Sequence, residues 1–289
     1  MVVAFKQEVT IMNQISTKTT KQTNRNPKTR QVTKQQLLIL NRIYQFRFVS
    51  TYQIQQLLGK KQIQQAQQRL NLLLSRGWIG RNFTKSDRLT GRFASYYLLP
   101  PGLKILRQNN EDKTLNEKVL RNIYKDKSAS KRFIDHCLAV GDINLHLIRL
   151  NGDSIKFINK SQLAYYDYLP RPLPDGFVKI KQKSSNLSDI YFLEYFEQSV
   201  PFFVHRKRIK QYIEYMEEGY WQSENEGAHP HNRFVAETEA LQKRIKRFTG
   251  KFLADYYYDY EPIVITNLNL LKTTEDPAIW YLINEAVDN

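Results

Sequence analysis

The 289-residue chain contains one cysteine, Cys137, which excludes an internal disulfide framework and a Cys-rich zinc site. Cys137 is read as a small buried hydrophobe. No run approaches the roughly 18 consecutive apolar residues that a membrane helix needs. The opening MVVAFKQEVTIMNQ sets Lys6 and Glu8 inside a short apolar run, so it lacks a secretory core segment. The expected location is cytoplasmic, with no membrane partner. Glycine-rich phosphate loops of the Walker or dinucleotide type are also missing, which removes the common nucleotide-dependent enzymes.

Acidic residues are scarce at one end. Residues 1–110 hold 19 Lys+Arg against two acids, Glu8 and Asp87, a net +17. The remainder holds 25 bases and 26 acids, so this end carries the whole excess of a chain whose formal charge is +16. Such asymmetry points to a polyanion partner. The near-neutral remainder is expected to contribute less to the grip.

Residues 1–31 are rich in Thr, Gln, Asn and Lys and read as a flexible basic arm, since they bury too little to offset ordering entropy. Residues 32–110 read as a winged helix-turn-helix. Thr33 and Gln36 form a capping-box pattern, and Leu37, Leu40, Ile43, Tyr44 and Phe48 follow at helical spacing. A second helix fits Ser50 to Leu58, stopped by Gly59. A third fits Gln62 to Arg76, with Ile63, Ala66, Leu70, Leu73 and Leu74 inward and Gly77 as its stop. Trp78 to Phe83 and Phe93 to Leu99 are β-prone and flank TKSDRLTG as a hairpin, after which PPGLKILRQ restarts a helix.

The third helix is the expected reading helix. Its outward residues include Gln64, Gln65, Gln68 and Arg69, side chains able to address base edges in a major groove. Arg81, Lys85, Arg88 and Arg92 on the hairpin are expected to meet phosphate. A Gln-rich face is also what a merely solvated helix would show. The expected partner is double-stranded DNA.

Residues 111–130 read as a linker, and 131–289 as a second domain in which strands and helices alternate. A long helix starts at Lys131. Strands are expected near Ser154 to Ile158, in PRPLPDGFVKIKQ and DIYFLEYFEQ (joined by the polar turn KSSNLS), and in EPIVITN. Helices are expected in VPFFVHRKRIKQYIEYMEE, in HNRFVAETEALQKRIKRFTGKFLADYY and in PAIWYLINEAV. The fold class is thus α+β and α/β in two domains. Asp175, at the start of one strand, and Glu194, 19 positions on in the next, are placed to converge at one end of a sheet. There two carboxylates suit Mg²⁺, which takes oxygen ligands and activates water against a phosphodiester.

His136 with Leu138-Ala139-Val140, Leu173-Pro174-Asp175-Gly176, Phe192-Leu193-Glu194, and the basic helix with Lys207, Lys210 and Tyr212 resemble the replication-relaxation family of plasmid and mobile-element proteins. The resemblance runs from about Thr33 to Met216. It implies a winged helix joined to a mixed sheet of the PD-(D/E)XK nuclease type, acting in replication, relaxation or transfer. The second domain is expected to touch DNA, to bind a relaxase or replication protein, or to pair with a second copy of the chain. Its basic runs His205-Arg206-Lys207-Arg208 and Lys243-Arg244-Ile245-Lys246-Arg247 fit either an extended DNA footprint or a solvated ion-pair face. In the nuclease alternative Asp175 and Glu194 would hold Mg²⁺ and, with Lys207, form the catalytic set of an endonuclease or nickase. The chain departs from that pattern, because Phe196 stands where the motif lysine belongs and Gln198 where the family has glycine. Lys179, Lys181 or Lys207 would have to substitute. A non-catalytic nuclease-like domain, needing no cofactor, is therefore the favoured expectation. His136 is expected to be a satisfied, half-buried histidine, and His229 and His231 to lie in a surface loop.

Overall fold

Two capping boxes open the described chain. Thr33 Oγ1 accepts from Gln36 N at 3.3 Å, while Thr33 N donates to Gln36 Oε1 at 3.0 Å, starting α1 (Lys34–Phe46). Ser50 and Gln53 repeat the arrangement at the head of α2 (Thr51–Leu57). β1 (Val49–Ser50) lies between them, and α3 (Ile63–Ser75) follows, burying Ala66, Leu70 and Leu73. Gly77 stops it at φ +65°, a left-handed turn that disfavours a side chain. β2 (Ile79–Asn82) and β3 (Ser95–Leu98) pair antiparallel, with β1 on the other edge of β3. The segment between them is not a bare turn. It holds α4 (Lys85–Leu89), because Thr84 and Asp87 build a third capping box. α5 (Pro100–Asn109) packs on α1 and completes this unit.

The computed structural model describes residues 32–109, 123–182, 188–225, 229–254, 262–274 and 276–283. The expected arm, most of the expected linker, nearly all of the KSSNLS turn and the last residues of the expected helix ending in FLADYY lie outside the described residues.

The rest is a mixed α+β assembly around a six-stranded sheet. α6 (Lys131–Asn151) leads into β4 (Ile155–Asn159), α7 (Lys160–Leu163), β5 (Gly176–Lys181) and β6 (Ser188–Phe196). Then come α8 (Phe202–Glu217), α9 (Tyr220–Glu224), β7 (His231–Ala236), α10 (Glu239–Ala254), β8 (Ile263–Asn267), α11 (Leu268–Thr273) and β9 (Tyr281–Leu282). Strand order is β4-β5-β6-β7-β8-β9. The β6–β7 and β7–β8 pairs are parallel and the others antiparallel.

Two expected helices are corrected. HNRFVA forms β7 rather than the start of a helix: Phe234 and Ala236 are buried on one face and Val235 on the other, as a central parallel strand requires. The helix begins only after Thr238, whose Oγ1 accepts from Leu241 N at 3.2 Å. PAIWYLI is not a helix either; a 3-10 turn over Pro277–Ile279 passes into β9, which pairs with β8 as an edge strand.

Strand alternation sorts the core into two layers. Tyr191, Leu193 and Tyr195 of β6 join one apolar cluster with α6 and with α1, α2 and α3. Phe192 and Phe196 join the other with α8 and α10. One cluster thus runs without interruption from Ile39 to Val235, tying the helix–hairpin unit to the sheet. Polar links reinforce the joint: Gln53 Nε2 donates to Leu138 O at 2.6 Å and to Asp142 Oδ1 at 2.7 Å, and Arg42 donates to Asn144 at 2.7 Å.

Candidate functional site

On α3 the apolar stripe fixes the helix phase, which turns Gln64, Gln65, Gln68 and Arg69 to solvent. Arg81 on β2, Lys85 and Arg88 on α4, and Arg92 before β3 are exposed as well. Arg92 lies 3.4 Å from Asp135 of α6. Asp87 is the one acid between residues 32 and 110, and its carboxylate is spent on local bonds to Thr84, at 2.8 Å to N and 2.7 Å to Oγ1. Those bonds hold it below the ordinary carboxylate range. The face therefore presents amides and guanidinium groups with little opposing charge. Between the hairpin and α6 runs a groove of about 970 Å³, where the half-exposed rings of Tyr52 and Phe93 stack with centroids 5.9 Å apart, near Arg42, Arg81 and Arg149.

The carboxylates of Asp175 and Glu194 are both buried: Asp175 immediately precedes β5 and Glu194 lies on β6, each next to the pair formed by Gly176 and Leu193. Gly176 is needed there because a Cβ would lie 2.4 Å from the Phe157 ring. Each carboxylate meets its own cations. Asp175 Oδ1 contacts His136 Nε2 at 3.0 Å and Lys160 Nζ at 3.4 Å, and its Oδ2 accepts from Tyr195 N at 3.0 Å. Glu194 accepts from Arg208 twice, Nε at 2.8 Å and Nη2 at 2.9 Å, and from the Tyr212 hydroxyl at 2.7 Å. Arg208 also donates to the Pro172 carbonyl and stacks 4.3 Å from the Tyr212 ring centroid.

The electrostatics follow from these contacts. Burial alone would lower the His136 pKa, but Asp175, and then Glu197 at 3.6 Å from Nδ1, raise it to about 10. Burial would raise the Asp175 pKa, yet His136 and Lys160 hold it below its usual value. Burial likewise works against charge on Arg208, and Glu194 outweighs it, so the guanidinium stays protonated. The site is two neutralised ion pairs.

Sequence reading placed the two carboxylates together and missed the cations. Lys207 is exposed on α8, one residue from Arg208, which points inward. The signal was the helix phase: Arg208 lies in step with Ile209, Tyr212 and Ile213, all buried. The lysine that reaches Asp175 is Lys160; Lys179 lies half-buried on β5, and Lys181 is exposed. A metal fits this donor set poorly, since every carboxylate oxygen already has a protein donor. No group of three or more His, Cys, Asp or Glu side chains is arranged to hold a metal among the described residues. His229 is buried, its ring donating to Pro230 O at 2.7 Å, and Cys137 is buried with its thiol pKa pushed up to about 12. Among the described residues no helix is long and apolar enough to cross a membrane.

The molecule is thus a mixed α+β protein that joins a basic helix–hairpin unit to a sheet with buried, ion-paired carboxylates. It belongs to the replication-relaxation family, whose model matches residues 40–230. No curated protein and no solved structure matches it significantly.

Proposed function

We propose that the chain is a DNA-binding protein of plasmid or mobile-element replication or relaxation. The helix–hairpin unit acts as a winged helix: α3 enters the major groove, and the β2–β3 hairpin engages phosphate. The observation that carries the reading is the exposed Gln/Arg face of α3 beside a hairpin whose lone acid is bound to its own backbone. The sheet then serves as a nuclease-like scaffold without metal chemistry, open to contact with a relaxase, a replication protein or a second copy. Neutralising several phosphates releases counterions, so affinity for duplex DNA should fall steeply and log-linearly with salt. A titration in which binding hardly changes between about 50 and 200 mM salt would sink the proposal.

The metal-dependent endonuclease is the second reading, favoured by the adjacency of Asp175 and Glu194. It requires Arg208 to leave Glu194. Nicking of supercoiled plasmid in Mg²⁺ that disappears in both Asp175→Ala and Glu194→Ala would establish it in place of the scaffold role.

A further inference from the structure

A second cationic face lies on the other side of the sheet. α8 exposes Arg206, Lys207 and Lys210, and α10 exposes Lys243, Arg244, Lys246, Arg247 and Lys251. Lys243 pairs with Glu239 at 2.7 Å; the other seven meet no carboxylate among the described residues. Two are held over rings, Lys210 at 4.7 Å from the Phe252 centroid and Arg244 at 3.9 Å from Phe202. Phe202, Phe248 and Phe252 form one aromatic seam between the helices, with successive centroids 6.0 Å apart. Lys243, Arg247 and Lys251 recur every fourth residue, making a row about 12 Å long on one side of α10.

Like charges at this density repel one another, and a face that served solubility alone would interleave signs. On α8 the acids Glu214 and Glu217 follow the cations, Glu214 one turn beyond Lys210, whereas α10 sets Glu239 alone against its five exposed cations. Because Phe192 and Phe196 pack toward α8 and α10 while Leu193 and Tyr195 pack toward α6, this face and the helix–hairpin unit lie on opposite sides of the sheet. We propose that the α8–α10 face is a second duplex-binding surface that grips phosphates without reading sequence, so that one chain holds two DNA segments. The two-segment arrangement rests on the winged-helix reading; the second surface does not.

The test uses the full chain, a bead-tethered duplex and a second, fluorescent duplex of unrelated sequence at about 50 mM salt. The parent should retain the second duplex. Arg206→Gln/Arg247→Gln/Lys251→Gln should retain about tenfold less, with an unchanged melting temperature and a shallower salt dependence. Arg206→Lys/Arg247→Lys, which keeps the charge, should capture within about twofold of the parent. Undiminished capture by the triple Gln variant overturns the proposal. So does a Lys variant as weak as the Gln one, or a loss seen on phosphatidylglycerol vesicles but not on duplex. If Lys85→Ala/Arg88→Ala binds duplex like the parent while the triple variant loses it, the winged-helix reading fails and the second surface stands.

Discussion

Replacing Arg208 with methionine removes the cation facing Glu194 and keeps most of the side-chain volume. Glu194 is buried and accepts three bonds, two of them from Arg208. Removing one member of such a pair typically costs about 3–5 kcal/mol, because the remaining charge is left without compensation. Arg208 also serves the Pro172 carbonyl, which raises the cost, while Tyr212 still donates to Glu194 and offsets about 1 kcal/mol. The expected loss is about 4 kcal/mol, or roughly 8–16 °C in Tm at about 2–4 °C per kcal/mol. The double variant Glu194→Leu/Arg208→Met removes both charges and should fall only about 1–2 kcal/mol below the parent. Urea titrations of the four proteins give the coupling directly. An additive cycle, or an Arg208→Met cost under about 1 kcal/mol, would refute the account of this pair as a structural unit. A Mg²⁺-dependent rise in the parent's Tm would refute the reading that the donor set excludes metal.

The other expectations concern the neighbouring pair, the strand beside it and the reading face. Folding raises the His136 pKa from its ordinary 6.5 to about 10, so its contribution is full below pH 6.5 and is lost as pH climbs toward 10. Folding lowers that of Asp175, whose contribution is present above the usual carboxylate range and fades in acid. The stability gap between parent and His136→Gln should therefore narrow between pH 7 and 10; a gap constant over that range contradicts the pairing. Gly176→Ala should cost about 1–3 kcal/mol through its clash with Phe157, and Phe157→Leu should recover part of it. Equal stability of Gly176→Ala and parent in chemical denaturation would count against that packing. Arg69→Ala should relax sequence preference, whereas Lys85→Ala should weaken all duplexes alike and lower the salt slope by about 1. Competition binding with specific and scrambled duplexes separates the two, and identical behaviour of both variants argues against α3 as the reader.

Where local signals were strong, the sequence was legible. The Thr33–Gln36 box, the stop at Gly77 and the α3 stripe depend on neighbours a few positions apart, and all three stand in the structure. The adjacency of Asp175 and Glu194 followed from two strands joined by a short turn. β7 is hidden because its sequence runs three polar residues, His231-Asn232-Arg233, into three apolar ones, Phe234-Val235-Ala236, with no polar–apolar alternation to distinguish it from the helix that follows. β9 was lost because an edge strand of two residues owes its form to β8 rather than to its own sequence. The His136–Asp175 and Arg208–Glu194 partnerships span 39 and 14 residues. No spacing rule reports the first; the second needed only the phase of α8 set against that of β6.

That omission also distorted the reading of charge. Residues 111–289 are nearly neutral by count, 25 bases to 26 acids, which makes this part look like the lesser grip on a polyanion. Counting assumes that both signs share the surface, and they do not. Asp126, Asp175 and Glu194 are buried, with Arg47, His136 and Arg208 turned inward to meet them. Two of these carboxylates lie under the sheet's helices, and the cation paired with each cancels most of its field outside. The exposed cations of α8 and α10 then act with fewer opposing charges than the count implies. Charge that is paired inside a fold has to be subtracted before the remainder is assigned a partner, and here the subtraction leaves a basic face on each side of the sheet.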